Sequence, residues 1–566
     1  MNLHSTFVKT ALTIICILGL LPAHNLLQAE TYYVDATDGN DSNSGTSPSE
    51  AWQSISKINN TSFQPGDQIL FQRGEVWTER LQPSTSGTSN SPITYSAYGS
   101  GIKPTIDGEG LKGYLIYVRK SHLRISSIKI INSDGWAIWN EPPNFPNHSD
   151  YIYNLEYDDM EVADNSSAGG MIVYSVDNLH VENSNFVRYK NNAIALMGSE
   201  NHPVQNTRII NNYFDSENNA NGGITMHENN TNGALPGNNH TIKDNEFYNH
   251  REEAMDIQGG DVLIEGNLCV NGGYHGIVAS RSNGNIKILR NKIVSGGIGT
   301  GNGIEIRVSD VTIAYNIING VSYRGIAIMD PGSPNNIKIY NNTIYQPEYE
   351  SIILNCTGLT DLEIVNNIIY NTNTKRQIMN FCNNSFSEPG WNIDNNMYYT
   401  SNSSDLFWEE GPKYMNLDEF RSNYNHELNG FESHPDFVDP ENKNFSLSSN
   451  SPAIDKGIST GISSDINGNP VPSGGAVDIG ASEFVSSSNQ SLLGDVDFNG
   501  TIQSYDAATT LQYSLGMNSL AEVDPTPWST ERTAAADVDG NGSIQAHDAA
   551  LIQQYVIGLI GSFPAE

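Results

Sequence analysis

Basic residues are scarce in this chain of 566 residues, which has 29 Lys and Arg against 64 Asp and Glu and a formal net charge of −35. So acidic a chain presents no broad basic face, which argues against nucleic acid and anionic membranes as partners. The charge also disfavours long-range attraction to polyanionic molecules, and salt weakens that repulsion.

Long apolar runs are scarce as well. The one such run, "ALTIICILGLLPA", follows Lys9 and precedes small residues that end at Ala29, a pattern that predicts a secretory signal over residues 1–29. It is too short to span a bilayer comfortably, and no later segment is long enough to do so. We therefore expect a secreted, extracellular protein without a membrane span.

Cysteine is the third scarcity, with four in the chain. Cys16 lies inside the predicted signal, which leaves Cys269, Cys356 and Cys382. Three cysteines are too few to build a disulfide scaffold, so a large core must stabilise the fold. We expect Cys269 in that core, and Cys356 and Cys382 either stacked or joined by a disulfide.

A short phrase with a recurring Asn occupies the middle of the chain, at steps of mostly about 22 to 29 residues. Each copy follows a β-rich run such as "NIKIL" or "DVTIA". A fixed period of this size indicates a solenoid. Alternating strands without helical periodicity predict an all-β, right-handed parallel β-helix with the Asn side chains stacked inside, and a propeller with Asn-rich loops is the alternative. The recurring residues are Asn185, Asn212, Asn245, Asn267, Asn291, Asn316, Asn342, Asn367 and Asn396.

The two ends of this region carry further motifs. "TYYVDATDGNDSNSGTSPSEAWQSISKIN" and "GDQILFQRGEVW" resemble the N-terminal cap of secreted β-helix carbohydrate-active enzymes of the pectate lyase-like superfamily. "DFVDPENKNFSLSSNSPAIDKG" and "GGAVDIGASEF" resemble their closing segment. The resemblance implies a β-helix catalytic domain over residues 30–487. That superfamily includes pectate lyases, alginate lyases and glycosidases, and no motif here selects one reaction.

A second strand of each coil can be aligned through "GITMHE", "AMDIQG", "GIVASR", "GIEIRV" and "GIAIMD". Side chains alternate across a strand, so one set points inward. That set is uniformly apolar, which supports the register. It consists of Ile224, Met255, Ile277, Ile304, Ile326, Met226, Ile257, Ala279, Ile306 and Ile328.

The outward positions of the same strands are polar. One predicted column reads Thr225, Asp256, Val278, Glu305, Ala327. The next reads Trp139, Tyr174, Met197, His227, Gln258, Ser280, Arg307, Met329. Further polar side chains flank the strands, with Glu253, His275, Asn302 and Arg324 before them and Glu228, Arg281 and Asp330 after them.

This outward face predicts the active groove. Asp256 and Glu305 are two coils apart, about 9–10 Å between backbones, close to the roughly 6.5–9.5 Å between the carboxyls of inverting glycosidases. We expect them to be the acid/base pair, with Trp139 and Tyr174 stacked on sugar rings. The remaining expected catalytic residues are Arg307, His227, Arg281, His275 and Glu253, and the remaining expected substrate-binding residues are Gln258 and Arg324.

Other interpretations of the groove stay open. In a polysaccharide lyase, Arg281 or Arg307 would act as the base, and Asp256, Glu305 and Glu228 would hold a calcium ion. A non-catalytic carbohydrate-binding module is a further possibility. The charges could also be those of an ordinary solvated face of a solenoid.

Two acidic loops close the chain, "GDVDFNGTIQSYD" and "ADVDGNGSIQAHD". Numbered from its first Asp, each loop places oxygen ligands at positions one, three, five, seven and twelve and Gly at position six. This is the spacing of a calcium loop. An apolar-periodic stretch that predicts a helix follows each loop. The predicted ligands are Asp495, Asp497, Asn499, Thr501 and Asp506 in the first loop and Asp537, Asp539, Asn541, Ser543 and Asp548 in the second.

The duplicated loop and helix resemble a type I dockerin over residues 493–566, joined through a linker at residues 488–492. That resemblance implies two Ca²⁺ sites and, as partner, a cohesin domain on a scaffold protein. The insert "NSLAEVDPTPWSTERTAA" lengthens the spacer between the repeats. The resemblance implies that positions ten and eleven of each loop help to select the cohesin. These are Ser504 and Tyr505 in one repeat and Ala546 and His547 in the other, so the two faces differ chemically.

Overall fold

The computed structural model describes most of the chain beyond residue 28. Of the predicted signal over residues 1–29, residues 1–28 lie outside the described residues, and so does the predicted linker at 488–492. The described ranges are 29–146, 150–217, 222–228, 234–282, 284–294, 301–330, 334–373, 376–382, 385–400, 405–410, 413–485, 493–497, 501–516, 528 and 530–565.

Three long sheets run side by side along the described chain. Sheets A and B have 14 strands each and sheet C has 13. From β4 onward, every third strand in sequence pairs with its predecessor in parallel, and before it β1 pairs with β2, β2 with β4 and β3 with β5. The exception is the antiparallel pair of β39 and β40 at one end of sheet C. The predicted right-handed parallel β-helix is confirmed, and the propeller alternative is wrong.

The strands of sheet A are β1 (Thr31–Val34), β2 (Gln68–Gln72), β4 (Ile93–Tyr98), β7 (Leu123–Ser126), β10 (Ile152–Asp158), β13 (Val176–Glu182), β16 (Gln205–Ile210), β19 (His240–Lys243), β22 (Val262–Glu265), β25 (Ile286–Leu289), β28 (Val311–Ala314), β31 (Asn335–Tyr340), β34 (Thr360–Val365) and β37 (Asn392–Asp394). Those of sheet B are β3 (Val76–Trp77), β5 (Thr105–Asp107), β8 (Lys129–Ile131), β11 (Glu161–Ala163), β14 (Asn185–Val187), β17 (Tyr213–Asp215), β20 (Glu246–Tyr248), β23 (Leu268–Val270), β26 (Lys292–Val294), β29 (Ile317–Asn319), β32 (Thr343–Tyr345), β35 (Ile368–Tyr370), β38 (Met397–Tyr399) and β41 (Phe431–Glu432). Those of sheet C are β6 (Ile116–Val118), β9 (Ile138–Asn140), β12 (Met171–Tyr174), β15 (Asn192–Met197), β18 (Gly222–His227), β21 (Met255–Gln258), β24 (Ile277–Arg281), β27 (Ile304–Ile306), β30 (Ile326–Met329), β33 (Ile352–Asn355), β36 (Ile378–Asn380), β39 (Phe407–Glu409) and β40 (Lys413–Met415). A separate antiparallel pair, β42 (Phe437–Asp439) and β43 (Asn444–Leu447), follows them.

Helices are short in the described chain. They are α1 (Ile55–Asn59), α2 (Leu417–Tyr424), α3 (Ser504–Ser514), α4 (Thr530–Ala536) and α5 (Ala546–Val556). Helix α2 begins at a capping box formed by Asn416 and Glu419 and ends at Asn425, whose left-handed φ of 57° stops the helix. Of the helices in the described ranges, none is long and apolar enough to cross a membrane.

The core lies inside the coil stack. The predicted inward residues of sheet C are buried, with 0% exposure from Ile224 through Ile328 at each aligned position. Sheet B adds an inward aromatic stack, in which Phe214 lies 5.4 Å from Phe186 and 4.8 Å from Phe247 between ring centroids. Each coil therefore buries its apolar face against its two neighbours, as a solenoid requires.

A buried ladder of Asn side chains connects successive coils. Asn316 shows the pattern, because its Nδ2 donates to Asn342 Oδ1 at 2.9 Å while its own Oδ1 accepts from Asn291 Nδ2 at 3.0 Å. The predicted ladder is confirmed from Asn212 to Asn396, but not at Asn185. Asn185 is exposed, and the buried Ser184 takes the ladder position in that coil.

The ladder ends on a carboxylate. Asn396 donates from Nδ2 to Glu427 Oε1 at 2.6 Å, and the Tyr398 hydroxyl donates to the same oxygen at 2.7 Å. Glu427 is fully buried, and this burial raises its pKa to about 7. The last amide of the ladder is thus satisfied by a residue shortly after α2.

The cysteines stabilise one region of the stack. Cys356 and Cys382 form a disulfide, with their Cα atoms 4.9 Å apart, directly after β33 and β36 of sheet C. Of the two alternatives that the sequence left open for this pair, the structure has the bonded one. Cys269 is a free thiol that is 3% exposed, as predicted for a core residue.

Candidate functional site

The outward face of sheet C has the predicted column around Asp256. Thr225 pairs with Asp256, Asp256 with Val278, and Val278 with Glu305. Asp256 and Glu305 therefore lie on β21 and β27, two strand spacings or about 9–10 Å apart at the backbone. The Gly-Ile alignment predicted this register correctly.

The second predicted column is wrong in two places. A β-bulge between Ile257 and Gln258 shifts the register, so that Gln258 pairs with Arg281 and not with Ser280. Trp139 pairs with Ile172, which places it in the column of Asp256, whereas Tyr174 pairs with Met197 in the column of His227. The error for Trp139 is a shift of one residue along its strand.

Glu305 is a buried carboxylate on sheet C that accepts hydrogen bonds from its neighbours. Its side chain is 3% exposed, and both of its oxygens accept hydrogen bonds. Asn302 Nδ2 donates to Oε2 at 2.7 Å, and Arg307 Nε donates to Oε1 at 2.6 Å. Charge-assisted contacts of this kind hold a guanidinium in one orientation, so Glu305 orients Arg307 beside β27.

His275 packs against the same carboxylate. Its Nδ1 accepts the backbone N–H of Asn302 at 3.0 Å, which leaves Nε2 to carry the proton, 3.5 Å from Glu305 Oε2. Burial lowers the pKa of His275, although Glu305 opposes that shift. A neutral His275 thus presents one N–H toward the Glu305 carboxylate.

Asp256 is more open than Glu305. The Ser280 hydroxyl donates to its Oδ1 at 3.0 Å. Burial raises the pKa of Asp256, while the hydrogen bond from Ser280 and the nearby His227 and Arg307 act in the opposite direction. Asp256 is therefore a partly buried carboxyl with cationic groups nearby, a setting suited to proton transfer.

Glu253 precedes the same strand. Burial raises its pKa to about 7, and the neighbouring carboxylates of Asp256, Glu252 and Glu305 add to the shift. A carboxyl with this pKa holds a proton near neutral pH, as a general acid requires. Glu253 and Asp256 are thus two interacting carboxyls at one end of β21.

The position of Glu253 recurs in the other coils. Two residues before the first inward residue of its strand, each coil of this region has a polar side chain, in the order Glu253, His275, Asn302, Arg324, Glu350, Arg376. Glu350 lies between two cations, with its oxygens 3.0 Å from Arg324 and 3.2 Å from Arg376.

Arg324 also lies over the ring of Tyr323, 3.9 Å from its centroid. These contacts hold Arg324, an expected substrate-binding residue, in a charge network. Glu350 and Arg376 were not singled out from the sequence, because their partners are a full coil away along the chain.

The far edge of the groove carries an ion pair between Glu228 and Arg281. The backbone N–H of Glu228 also donates to Gln258 Oε1 at 3.0 Å. Glu228 therefore connects two of the expected site residues, and Arg281 is the exposed member of the group.

Aromatic rings cover the N-terminal part of sheet C. Trp139 and Tyr174 are half-buried, with ring centroids 5.8 Å apart and planes at 31°. Tyr114 and Tyr117 extend this group, with centroids 4.4 Å apart, and Tyr117 pairs with Trp139 in the register of the sheet. We call Tyr114, Tyr117, Trp139 and Tyr174 the aromatic shelf.

Glu141 holds two rings of the aromatic shelf in place. Trp139 Nε1 donates to Glu141 Oε2 at 2.9 Å, and the Tyr117 hydroxyl donates to the other carboxylate oxygen. The sequence analysis singled out Trp139 and Tyr174 but not Tyr114, Tyr117 or Glu141.

The C-terminal loops bring their acids together as predicted. Oxygens of Asp495, Asp497 and Asp506 lie within 4.8 Å of one another, and so do those of Asp537, Asp539 and Asp548. Clustered carboxylates are the ligands that Ca²⁺ prefers, so the described donors fit this ion.

The remaining predicted ligands are the Asn at position five and the hydroxyl residue at position seven of each loop. Asn541 accepts the Ser543 backbone N–H at 3.0 Å, a turn that folds the second loop. Thr501 is exposed. Asn499 lies outside the described residues.

The last acid of each loop also caps the start of the following helix. Asp506 is fully buried and accepts the backbone N–H of Gln503 at 2.8 Å, and Asp548 accepts that of Gln545 at 2.8 Å. Both pairs form capping boxes, at the starts of α3 and α5. Closure of each loop is therefore coupled to its helix.

Two family models match parts of the chain. Residues 493–557 match the dockerin type I domain, and residues 234–409 match the right handed beta helix region. The chain thus carries a C-terminal dockerin type I domain after a right-handed parallel β-helix.

A curated protein matches a short part of the chain. A lacto-N-biosidase of Bifidobacterium longum is 38% identical over 89 residues, which are 15% of this chain and 6% of that protein. The match therefore spans a small part of the curated relative.

A solved structure shares the fold. A mannuronic acid specific polysaccharide family 6 lyase from the human gut microbiota has a TM-score of 0.51 and 13% identity, over 73% of this chain and 93% of that one. A lacto-N-biosidase from Eubacterium ramulus has a TM-score of 0.33 and 14% identity, over 69% and 66% of the two chains. At 13% identity the first of these likenesses shows the fold alone.

Proposed function

We propose that the protein is a secreted glycoside hydrolase that cleaves a plant or algal polysaccharide in the groove on sheet C. The observation that carries this proposal is the carboxyl pair at β21, where Glu253 has a pKa raised to about 7 by burial next to the more open Asp256. Two carboxyls whose surroundings differ in this way suit the acid and base roles of glycoside hydrolysis.

In the proposed reaction Glu253 donates its proton to the glycosidic oxygen of the leaving sugar. Asp256 accepts a proton from the water that attacks the anomeric carbon as the glycosidic bond breaks. The products are two shorter chains, one with a new reducing end. The hydrogen bond from Ser280 orients Asp256 for this step.

Glu305, expected from the sequence as one of the acid/base pair, has a different proposed role. Both of its oxygens are already bonded, so it orients Arg307 and the Nε2–H of His275. Arg307 and His227, which lie near Asp256, would then bind sugar hydroxyls or an acidic group. In this proposal Glu305 positions other residues and does not transfer protons to the substrate.

One observation favours a polysaccharide lyase as second candidate. The guanidinium that Glu305 holds beside the groove suits a uronate carboxylate, the group that a lyase must neutralise before proton abstraction. Arg281, in its neutral form, would then take the proton, while Arg307 keeps its charge. Such a lyase would release an unsaturated uronate and add no water.

The dockerin type I domain implies a cohesin partner, and calcium binding is general to such domains. We infer that Ca²⁺ at Asp495, Asp497 and Asp506, and at the matching acids of the second loop, supplies the positive charge that holds each loop closed. The enzyme would then be tethered outside the cell, on a scaffold or cell surface, in a cellulosome-type assembly.

A product screen tests the function. The purified enzyme is incubated with pectin, alginate, xylan and algal galactans, and both reducing ends and the ultraviolet absorbance of unsaturated uronates are followed. The proposal expects new reducing ends without that absorbance on at least one polymer. Absorbance in step with reducing ends would establish the lyase, and neither signal would leave a binding module.

A further inference from the structure

We propose that the aromatic shelf is a distal subsite of the same groove, which binds the polysaccharide about four sugar units from the cleaved bond. This inference rests on the proposed function for the position of that bond. It makes the preferred substrate a long pyranose chain and not a disaccharide or trisaccharide.

The register of sheet C is the first argument. Tyr117 and Trp139 lie in the column that continues through Ile172 and reaches Asp256. Trp139 on β9 is four strand spacings from Asp256 on β21, about 19 Å. A pyranose unit of an extended chain is about as long as one strand spacing, so a chain laid across the strands would place about four units between them.

The side chains between the two positions are the second argument. In that column they are Ile172, Ala195 and Thr225, none of which has a long side chain. Each is no more than 5% exposed, so neighbouring groups flank them closely. No large side chain of this column therefore projects between the aromatic shelf and Asp256. Tyr174 and His227 belong to the adjacent column and line one side of the same path.

The fixed orientation of the rings is the third argument. Glu141 accepts from both Trp139 Nε1 and the Tyr117 hydroxyl, so the indole and the phenol have little freedom to turn. Cations flank the tyrosines, with Arg119 5.5 Å from the Tyr117 centroid and Arg80 5.3 Å from that of Tyr114. Half-buried rings held in this way form a preorganised stacking surface, which lowers the entropic cost of binding a sugar.

The test uses the full chain and the polysaccharide on which the screen finds activity. We measure KM and kcat for that polymer and for its dimer and trimer, in wild type and in Trp139→Ala, Trp139→Phe and Tyr174→Ala. Tyr248→Ala is the matched control, since Tyr248 is a half-buried outward ring on sheet B that contacts Tyr213 at 5.3 Å.

We expect Trp139→Ala and Tyr174→Ala to raise KM for the polymer about 3- to 10-fold with little change in kcat, and to leave the short substrates unaffected. Trp139→Phe keeps a ring and should lose less, and Tyr248→Ala should match wild type. A wild-type KM on the polymer for Trp139→Ala, or an equal loss on dimer and polymer, would overturn the subsite.

Binding separates this inference from the proposed function. Native gels that contain the polymer should retard Asp256→Asn as strongly as wild type, and Trp139→Ala less. If Asp256→Asn is fully active while Trp139→Ala loses retardation, the catalytic assignment and the distance of four units are wrong, and the aromatic shelf stands as a binding site for the polysaccharide. If Trp139→Ala is retarded like wild type, the subsite is wrong whatever Asp256 does.

Discussion

Glu253 and Glu350 occupy the same position in their coils, and their surroundings are opposite. Glu350 is 3% exposed and lies between Arg324 and Arg376, which keep it paired. Glu253 lies between the coil of Gly222 and that of His275, and its pKa is raised to about 7. One glutamate therefore stabilises the coil stack, while the other is suited to carry a proton.

The pH dependence of the reaction follows from this difference. Glu253 must hold its proton to act as the acid, so turnover should fall as the pH rises through about 7. Asp256 must be ionised, so turnover should also fall in acid, below its raised pKa. The pH–rate profile of wild type should be bell-shaped, and Glu253→Gln should lose the alkaline limb together with most of the rate. An alkaline limb that persists in Glu253→Gln would assign that limb to another group.

The Asn ladder contributes to stability. Asn316→Leu removes a buried amide that donates to Asn342 and accepts the backbone N–H of Asn291, and it leaves that N–H without its partner. We expect a loss of about 1–3 kcal/mol in the free energy of unfolding, measured by denaturant titration. Asn319→Leu is the control, because Asn319 is half-buried on the outward face of the same coil. Equal effects of the two substitutions would contradict a role for the ladder.

Glu427 should make stability depend on pH. Its pKa is about 7 in the folded chain, above the ordinary 4.5, so the folded state binds more protons than the unfolded state between these values. Stability is therefore greatest below about pH 4.5 for this group and falls as the pH rises to about 7, by about 3 kcal/mol. Glu427→Gln cannot ionise and should remove this part of the dependence. Thermal melts of both proteins across that range should converge at low pH, and parallel curves would refute the assignment.

Calcium should control the C-terminal domain and not the groove. Asp495→Ala combined with Asp537→Ala removes one acid from each cluster, so neither loop should hold its ion. Capture by cohesin domains should be lost, with polysaccharide turnover unchanged. Asp418→Ala is the control, an exposed acid of α2 outside the loops. A chelator should reproduce the double variant in wild type, and full cohesin capture in the presence of chelator would contradict the calcium requirement.

The sequence predicted the architecture well because the same residue pattern recurs in each coil. The spacing of the Asn residues and the apolar alternation around Ile277 and Ile304 follow from local rules, and both are confirmed. The extent of the predicted domains at 30–487 and 493–566 stays a prediction. The resemblance to dockerins could be recognised from the sequence because each loop contains all of its own ligand positions.

The details of the groove depend on contacts between coils, which local patterns do not contain. The bulge at Gln258 adds one residue to a strand without any signal in its sequence. The burial of Glu305 depends on Arg307 and Asn302, and the pairing of Glu350 depends on Arg324 one coil away. Residue types at the site were therefore predictable, while their roles required the packing.

The most direct test of the account is the turnover of Asp256→Asn and Glu253→Gln on the polysaccharide that the screen identifies. Glu246→Gln, at an exposed position on sheet B, is the matched control. We predict that the two groove variants melt like wild type and lose about 10²–10⁴-fold in kcat, while the control keeps its rate. Near-normal turnover in both groove variants would show that the carboxyl pair at β21 does not carry the reaction.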